Sequence, residues 1–356
     1  MEQSMEYSSF KTLLYYTNIS TRQNVTAYNF SGADAILTAF RHDFQQIGYS
    51  NIVLLAMYLP IFIVALVGNL LVLVTLVVQM SWRANHVYML NLSICDLLVT
   101  FICMPCTATT IIYRLWLSGL VLCKMAFFLQ GVAVATGIFT LTAMSVDRYM
   151  SIQHPSHAHW SSAPSHALVL TAVTWTTSAV FMAPQLYVRT VDTLTMPDLP
   201  SMTFCIEHWP QDQDKHIFGL LLLLVMFVIP VLILAVCYAN VGKMLCSYTL
   251  SREDSNTSNV TYIFCRKRAA RILVLLVGLF ICCWLPYNIM SIMIDLGDMS
   301  GLVPFLPFAL WLGHAHSAVN PVLYWVTNRR FREMVAKLRM RIQRPCIKKK
   351  RRPRRV

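Results

Sequence analysis

The sequence predicts an all-α integral membrane protein: a bundle of seven transmembrane helices with a short amphipathic eighth helix. Of the 356 residues, 56% are apolar and only 13% are charged, whereas soluble domains run near ~45–50% apolar and about 25% charged. The apolar residues form seven long blocks, and most basic residues lie on one side of those blocks. These three observations disfavour a water-soluble enzyme.

Each of the seven blocks is long enough to cross a bilayer, which takes about 20 mostly apolar residues. Backbone groups in lipid must be hydrogen-bonded internally, so each block is expected to be a helix. No block alternates with the period of two that a barrel strand would show. The predicted spans, in chain order, are Ile52–Gln79, Val87–Ile112, Ala126–Val146, Ala167–Val188, Ile217–Gly242, Ile272–Ile294 and Gly301–Val326.

The spans divide the chain into an N-terminal tail (residues 1–51), a membrane domain (52–326) and a basic C-terminal tail (327–356). With the N-terminus outside, 22 of the 29 Lys and Arg residues fall on the inner side and 7 on the outer side. Basic residues favour the cytoplasmic side, so we expect a plasma-membrane protein with an extracellular N-terminus and a cytoplasmic C-terminus. Three glycosylation sequons agree with this orientation and begin at Asn18, Asn24 and Asn29.

The basic tail begins with an amphipathic segment. Phe331, Val335 and Leu338 share one side of residues 328–340, which predicts a short helix held against anionic membrane lipids by Lys and Arg. Cys346 follows, flanked by basic residues, and is a candidate palmitoylation site.

Short motifs occur one set per block and in order along the chain. They are Gly68-Asn69, Asn91-Leu92-x3-Asp96, Asp147-Arg148-Tyr149, Trp175, Pro230 with Tyr238, Phe280-x2-Cys283-Trp284-Leu285-Pro286, Asn320-Pro321-x2-Tyr324, and Phe331. In this set the chain resembles the rhodopsin-like (class A) G-protein-coupled receptors from about Leu54 to Phe331. The resemblance implies a receptor that activates a heterotrimeric G protein and has no catalytic residues.

The resemblance also implies an activation switch on the inner side. Asp147 is expected to pair with Arg148 in the resting state, next to Tyr149. Freed Arg148 would then meet the G protein together with Tyr238 and Tyr324.

Rhodopsin has an acid at the inner end of the sixth helix that clamps this arginine. Arg266 stands there in this chain, and like charges repel. We therefore expect measurable basal signalling, which Arg266→Glu should lower.

Two prolines predict hinges. Pro286 and Pro321 each remove a helix hydrogen bond and favour a kink. Trp284 and Phe280 lie just before Pro286 in the sequence. They are either core aromatics or switch residues on which a ligand presses, and a packed core with two arrangements satisfies both interpretations.

Asp96 is a lone carboxylate in a lipid-buried helix, where a charge costs at least ~2.5 kcal/mol. The resemblance implies a sodium site formed by Asp96 with Asn69, Asn320 and Ser317. Gly137 and His316 stand where the family usually has oxygen-bearing side chains. A neutral hydrogen-bonded Asp96 and a titrating His316 therefore remain alternatives, and no other metal or cofactor is expected.

On the outer side, the resemblance implies a disulfide between Cys123 and Cys205. Gln130 stands where amine receptors carry an Asp, so an amine ligand is disfavoured. With Thr107, Gln130 resembles the pocket of neuropeptide receptors, where it hydrogen-bonds an amidated peptide end. The Cys205-x-Glu207-x-Trp209 pattern resembles the orexin, RFamide and allatotropin-like receptor group.

The outer face carries more acids than bases, so a basic peptide would be steered to it. We expect Glu207 and Asp295 to contact such a ligand, and a solubilising role for outer acids is the alternative. Tyr287, Asn288, Trp311 and His314 are candidates to line the same pocket or to serve as structural residues.

The expected partners are a neuropeptide, a G protein, membrane lipids, and arrestin through the third inner loop; no nucleic acid is expected. That loop region holds six Ser and Thr residues between positions 247 and 258, whereas no Ser, Thr or Tyr follows Thr327. A receptor for a lipid or another non-peptide ligand remains an alternative. A membrane transporter is a further one, although the buried ionisable residues form no relay along one helix.

Overall fold

A computed structural model describes residues 49–78, 83–153, 163–195, 201–250, 257–296, 300–327 and 329–350. Within these ranges, side chains are described except at 148, 152, 194, 241–250, 257–273, 300, 330 and 341–350. The predicted glycosylation sites Asn18, Asn24 and Asn29 lie outside the described residues. So do the side chains of Arg148, Arg266 and Cys346.

The described residues are mostly helical. The helices are α1 (Tyr49–Val78), α2 (Ala84–Leu98), α3 (Met104–Tyr113), α4 (Gly119–Gln153), α5 (Pro164–Met182), α6 (Pro184–Val188), α7 (Asp212–Leu223), α8 (Ile229–Leu250), α9 (Thr257–Leu296), α10 (Leu306–Thr327) and α11 (Arg329–Lys350). A π-helical turn at Val99–Cys103 joins α2 to α3, and another at Leu224–Val228 joins α7 to α8. A 3₁₀ turn at Ser300–Phe305 leads into α10.

Seven segments of the described chain are long and apolar enough to cross a membrane, which confirms the predicted seven-helix bundle. Numbered one to seven, these spans are Tyr49–Val78, Ala84–Tyr113, Gly119–Ser151, Pro164–Val188, Asp212–Asn240, Val274–Leu296 and Gly301–Thr327. Pro286 lies inside α9 and Pro321 inside α10, as predicted.

Some helices begin before the apolar spans that the sequence predicted. The third span begins at Gly119 and not at Ala126, since the helix continues through Lys124. A single charge ends an apolar block in the sequence, but it does not end a helix whose backbone hydrogen bonds continue. For the same reason α9 begins at Thr257, well before Ile272, and runs through a basic stretch.

Polar side chains join the second, third and fourth spans. The Asn91 amide donates to the Thr140 hydroxyl at 2.8 Å, and the Trp175 indole N–H donates to the Asn91 side-chain oxygen at 2.7 Å. Lipid tails are as apolar as leucine, so such interhelical hydrogen bonds and close packing hold a membrane bundle together.

A β-hairpin lies between the fourth and fifth spans. Strand β1 (Arg189–Leu194) pairs antiparallel with β2 (Met202–Glu207). The predicted disulfide is confirmed: Cys123, near the start of α4, is bonded to Cys205 of β2 with a Cα–Cα distance of 5.7 Å. The hairpin is therefore tied to the third span.

The predicted eighth helix is present and longer than expected, since α11 extends to Lys350. Phe331 and Leu338 are buried, and Val335 packs against the core cluster that contains Phe331, as the amphipathic pattern predicted. The Arg332 guanidinium donates to the backbone carbonyls of Trp325 and Val326 at 2.8 Å each. Those carbonyls belong to the last turn of α10 and have no partner further along that helix, so Arg332 fixes the junction of the two helices.

Candidate ligand-binding site

Three polar side chains form a chain of hydrogen bonds between the first, seventh and third spans. The Tyr58 hydroxyl lies 3.0 Å from Nδ1 of His314, and Nε2 of His314 lies 3.3 Å from Oε1 of Gln130. His314 is completely buried, and Gln130 is half-buried. The structure thus brings together two predicted ligand residues and adds Tyr58, which the sequence did not single out.

Trp284 lies against this hydrogen-bonded chain. Its ring and the His314 ring meet edge to face, with centroids 6.1 Å apart and an interplanar angle of 77°. A Cβ added to Gly313 would lie 2.8 Å from Cε3 of Trp284, so a larger residue at that position would displace the indole. The Asn288 amide donates to the Trp284 carbonyl at 2.8 Å. A movement of His314 therefore reaches the predicted switch tryptophan through one contact.

Glu207 is held in the hairpin by an ion pair with Arg189. The two residues are direct cross-strand partners and are hydrogen-bonded to each other, and the Trp209 indole N–H donates to the second carboxylate oxygen at 2.9 Å. Burial alone would raise the pKa of Glu207, but the positive charges of Arg189 and Lys215 and these hydrogen bonds lower it below the usual glutamate range. Arg189 also lies over the Phe127 ring, 3.7 Å from the centroid.

Asp295 is paired as well. The Lys215 ammonium donates to Oδ1 of Asp295 at 2.6 Å, and Nε2 of His216 lies 3.0 Å from the Asp295 backbone oxygen. These contacts join the start of the fifth span to the end of the sixth. The sequence suggested that Glu207 and Asp295 offer free charges to a ligand, whereas each is neutralised by a base of the protein itself. Their contact with a ligand stays a prediction.

Three further predicted pocket residues, Thr107, Tyr287 and Trp311, are half-buried. The indole nitrogen of Trp311 is buried and donates to no partner in the described part of the chain. Leaving a buried donor unpaired costs about 1–3 kcal/mol. Trp311 is therefore a position where an acceptor from a bound molecule would add stability.

The predicted cation-site residues are close together in the middle of the bundle. Asp96 is buried and accepts a 2.8 Å hydrogen bond from the Asn320 amide, and Ser317 lines the same cavity. The Asn69 amide donates to the Ser317 backbone carbonyl at 2.9 Å, so it supports this group without a direct bond to the carboxylate.

A cavity of about 20 Å³ adjoins Asp96, Asn320, Ser317, His316 and Gly137. This is enough for a species the size of water. A hard cation such as sodium prefers oxygen ligands. Two are available here: the Asp96 carboxylate and the side-chain oxygen of Asn320, which has no partner among the described residues. His316 offers a nitrogen and Gly137 no donor at all, so the residues fit a cation with fewer oxygens than the family pattern implies.

The C-terminal end of the third span is fixed through Asp147. Its carboxylate accepts a 2.6 Å hydrogen bond from the Tyr88 hydroxyl, and Nδ1 of His166 lies 3.8 Å away. Tyr149 is half-buried. Since the Arg148 side chain lies outside the described part of the chain, its pairing with Asp147 stays a prediction.

The remaining predicted switch residues lie in the fifth, sixth and seventh spans. The Tyr238 hydroxyl lies 3.4 Å from the Ser145 hydroxyl, and Phe280 is buried against Phe227 with ring centroids 5.8 Å apart. The Tyr324 hydroxyl is buried and bonds to none of the described residues. An unpaired buried hydroxyl is a group that gains a partner if the helices rearrange.

Sequence reasoning missed Tyr58, Tyr88, Arg189 and Lys215. Two of them are phenols in apolar spans, and two are bases on the face that the sequence predicted to be acidic, so each was visible as an unusual residue. Their partners were not visible, because Tyr58 and His314 lie 256 positions apart in the chain.

Known proteins resemble this chain along most of its length. The family model described as 7 transmembrane receptor (rhodopsin family) matches residues 68–324. The chain is 29% identical over 295 residues to neuropeptide FF receptor 1 of Rattus norvegicus, covering 78% of this chain and 68% of that protein.

Two further relatives are similarly distant. A QRFP-like peptide receptor of Branchiostoma floridae is 28% identical over 300 residues, covering 82% of this chain and 79% of that protein. The RYamide receptor of Drosophila melanogaster is 29% identical over 331 residues, covering 90% of this chain and 70% of that protein.

Proposed function

We propose that this chain, which belongs to the rhodopsin family of seven-transmembrane receptors, binds an extracellular neuropeptide with an amidated C-terminus and activates a heterotrimeric G protein. The observation that carries the proposal is Gln130. It is a neutral, half-buried amide hydrogen-bonded to His314, one contact from Trp284. The names of the relatives, which are receptors for peptides, support the same ligand class.

An amide at this position suits a peptide end better than an amine. A carboxylate would be needed to pair a buried ammonium, because burying an unpaired charge is far more costly than burying a hydrogen-bonded amide. Gln130 can instead exchange hydrogen bonds with a carboxamide. The Trp311 indole N–H of the seventh span, which has no partner among the described residues, is a further donor.

The outer acids favour a basic residue near the amidated end. Asp295 and Lys215 form the more open pair, with side-chain exposures of 20% and 35%. We propose that a ligand arginine or lysine replaces Lys215 beside Asp295, whereas Glu207 keeps its pair with Arg189. Peptide potency should then fall for Asp295→Ala, and unchanged potency in both Asp295→Ala and Glu207→Ala would contradict any role of these acids in binding.

Binding energy would be transmitted as a shift between two arrangements of the bundle. A ligand at Gln130 acts on His314 and Trp284, and Pro286 and Pro321 let the inner halves of the sixth and seventh spans move. Arg148 would then meet the G protein, and the Tyr324 hydroxyl, to which no described residue bonds, would gain a partner.

Location and further partners follow from charge. We propose that the N-terminus is extracellular, that the basic face of α11 lies on anionic lipid, and that arrestin recognises the third inner loop. Epitope tags at the two ends test the orientation: if both tags were accessible from the same side of intact cells, the orientation would be wrong.

A bound sodium ion is a further proposed partner. A sodium ion beside Asp96 would stabilise the arrangement in which Asn320 bonds to that carboxylate.

The test of the function is a screen of amidated neuropeptides on cells expressing the chain, in which calcium and cyclic-nucleotide signals are measured. We expect an amidated peptide with Arg or Lys near its end to activate, and its free acid to be weaker. Activation by a lipid or an amine, with no response to such peptides, would show that the ligand class is wrong.

A further inference from the structure

The hydrogen-bonded chain from Tyr58 through His314 to Gln130 limits what Gln130 can offer a ligand. We propose that Tyr58 and His314 are positioning residues that fix the orientation of the Gln130 amide. Its oxygen faces His314 and its two N–H donors remain for the ligand, so the receptor selects a hydrogen-bond acceptor at this point. The inference rests on the proposed function only in placing the ligand beside Gln130.

Proton counting leaves two arrangements of this chain. A neutral imidazole has one N–H donor and one acceptor nitrogen. In the first arrangement, the Tyr58 hydroxyl donates to Nδ1 of His314, and the Nε2–H of His314 donates to the oxygen of Gln130. In the second, every bond is reversed: Nδ1–H donates to Tyr58, and a turned Gln130 amide donates to Nε2.

The burial of Tyr58 favours the first arrangement. In the second, the Tyr58 hydroxyl hydrogen would need another acceptor. Tyr58 is 5% exposed, and His314 is its only hydrogen-bond partner among the described residues. The second arrangement, which leaves this buried hydroxyl hydrogen unpaired, should therefore be less populated than the first by on the order of tenfold or more.

The neutral form of His314 is favoured by the same surroundings. The ring is completely buried between Tyr58, Gln130 and the Trp284 indole, and no described acid bonds to it. An imidazolium would have two N–H donors and would lose the Tyr58 donation to Nδ1. The first arrangement is therefore consistent with every contact of the ring among the described residues.

The free part of Gln130 is then its amide nitrogen, which makes no hydrogen bond within the described residues. A carbonyl oxygen at the end of a peptide can accept from it. An ammonium group cannot, because it has donors only. The orientation explains selection of a carboxamide over an amine through hydrogen-bond direction as well as charge.

The binding test uses one synthetic peptide with arginine before an amidated aromatic end. It is prepared also with a terminal methyl ketone, which only accepts, and with a terminal aminomethyl group, which only donates. On the unmodified receptor, we expect the ketone within about threefold of the carboxamide and the aminomethyl peptide weaker by about tenfold or more, which is the range of one hydrogen bond.

Tyr58→Phe removes only the hydroxyl that sets the arrangement. The two arrangements should then be about equally populated, because Nδ1 of His314 lacks a partner in either one. The aminomethyl peptide should therefore gain about fivefold in potency relative to the carboxamide, because the turned Gln130 amide rises from at most about a tenth to about half of the receptor. Tyr49→Phe is the matched control, because Tyr49 lies in the same span and is 83% exposed; it should leave the preference unchanged.

His314→Phe keeps a ring beside Trp284 and removes both hydrogen bonds. His314→Phe alone should change the relative potencies of the three peptides as much as the double variant with Tyr58→Phe does. The reason is that the two residues act through the same series of hydrogen bonds. Additive effects, or an unchanged preference in Tyr58→Phe, would overturn the proposal.

A measurement without ligand separates this inference from the proposed function. In purified receptor labelled with nitrogen-15 histidine, the signals lost in His314→Phe report the protonation of that ring. We expect a proton on Nε2 in the unmodified receptor, and a proton on Nδ1 would overturn the inference. If the ring has the expected proton but no amidated peptide activates the receptor, the proposed function fails and the orientation of Gln130 stands.

Discussion

Removing the charge of Glu207 should destabilise the folded receptor, because Arg189 would stay buried without its partner. The Arg189 and Glu207 side chains are 12% and 21% exposed. An exposed ion pair is worth about 1 kcal/mol or less, whereas breaking a fully buried one costs about 3–5 kcal/mol. This pair lies between the two cases, so we expect Glu207→Gln to cost about 2–3 kcal/mol.

The loss can be measured by thermal unfolding of the purified receptor with a dye that reacts with exposed thiols. Buried cysteines such as Cys103 and Cys283 become reactive only on unfolding. At about 2 °C per kcal/mol for a chain of this size, the midpoint should fall by about 4–6 °C. Asp212→Asn is the matched control, since Asp212 is an exposed acid, and it should change the midpoint little.

The pH dependence has a definite sign. The pKa of Glu207 is lowered in the folded state, so its stabilisation is present above the unfolded pKa of about 4.3 and is lost as the pH falls below that value. Glu207→Gln should lack this part of the acid dependence. The reasoning would be refuted if Glu207→Gln unfolded at the same midpoint temperature as both the unmodified receptor and Asp212→Asn. Adding Arg189→Met should recover part of the loss, because no buried charge then remains unpaired.

Three further changes test other contacts. Gly313→Ala, which would place a Cβ 2.8 Å from Trp284, should lower the unfolding midpoint by roughly 2–6 °C through overpacking; Gly278→Ala, with nothing within 4 Å, should not, and equal midpoints would contradict the close packing. Replacing sodium by choline should lower the midpoint of the unmodified receptor but not of Asp96→Asn, and a sodium effect that survives in the variant would place the ion elsewhere. Arg266→Glu should lower basal G-protein signalling, and unchanged basal output at matched surface expression would count against the missing-clamp argument.

The fold was predictable because lipid imposes simple constraints. The length of the apolar blocks and the scarcity of charges within them were enough for seven spans, and they placed most ends within a few residues. The errors came from charges at helix ends: Lys124 interrupts the apolar block but not the helix. Hydropathy depends only on the side chains, whereas a helix ends where its backbone hydrogen bonds end.

The candidate site was predictable in its members and less so in its pairings. Gln130, His314 and Trp284 were each named from their positions in motifs and spans, and they lie together. The pairing of Glu207 with Arg189 depends on the register of a hairpin, which no local pattern specifies. Net charge counts acids and bases on a face but does not show that they neutralise each other.

Partners across the bundle were the hardest to predict. The hydrogen bond from Tyr58 to His314 joins the first and seventh spans, and only the packing of the helices decides that these two residues meet. A phenol within an apolar block indicates that some partner exists, because a buried hydroxyl needs one, but it does not identify that partner.

The most direct test of the proposed function is guanine-nucleotide exchange with purified components. The chain, reconstituted in lipid vesicles with a heterotrimeric G protein, is mixed with an amidated peptide from the cell screen or with its free-acid form. We predict that the amidated peptide accelerates nucleotide exchange, that the free acid does so more weakly, and that Gln130→Ala reduces the difference between them. Peptide binding that leaves the exchange rate unchanged, with every G-protein subtype supplied, would contradict the assignment of this chain as a peptide-activated receptor.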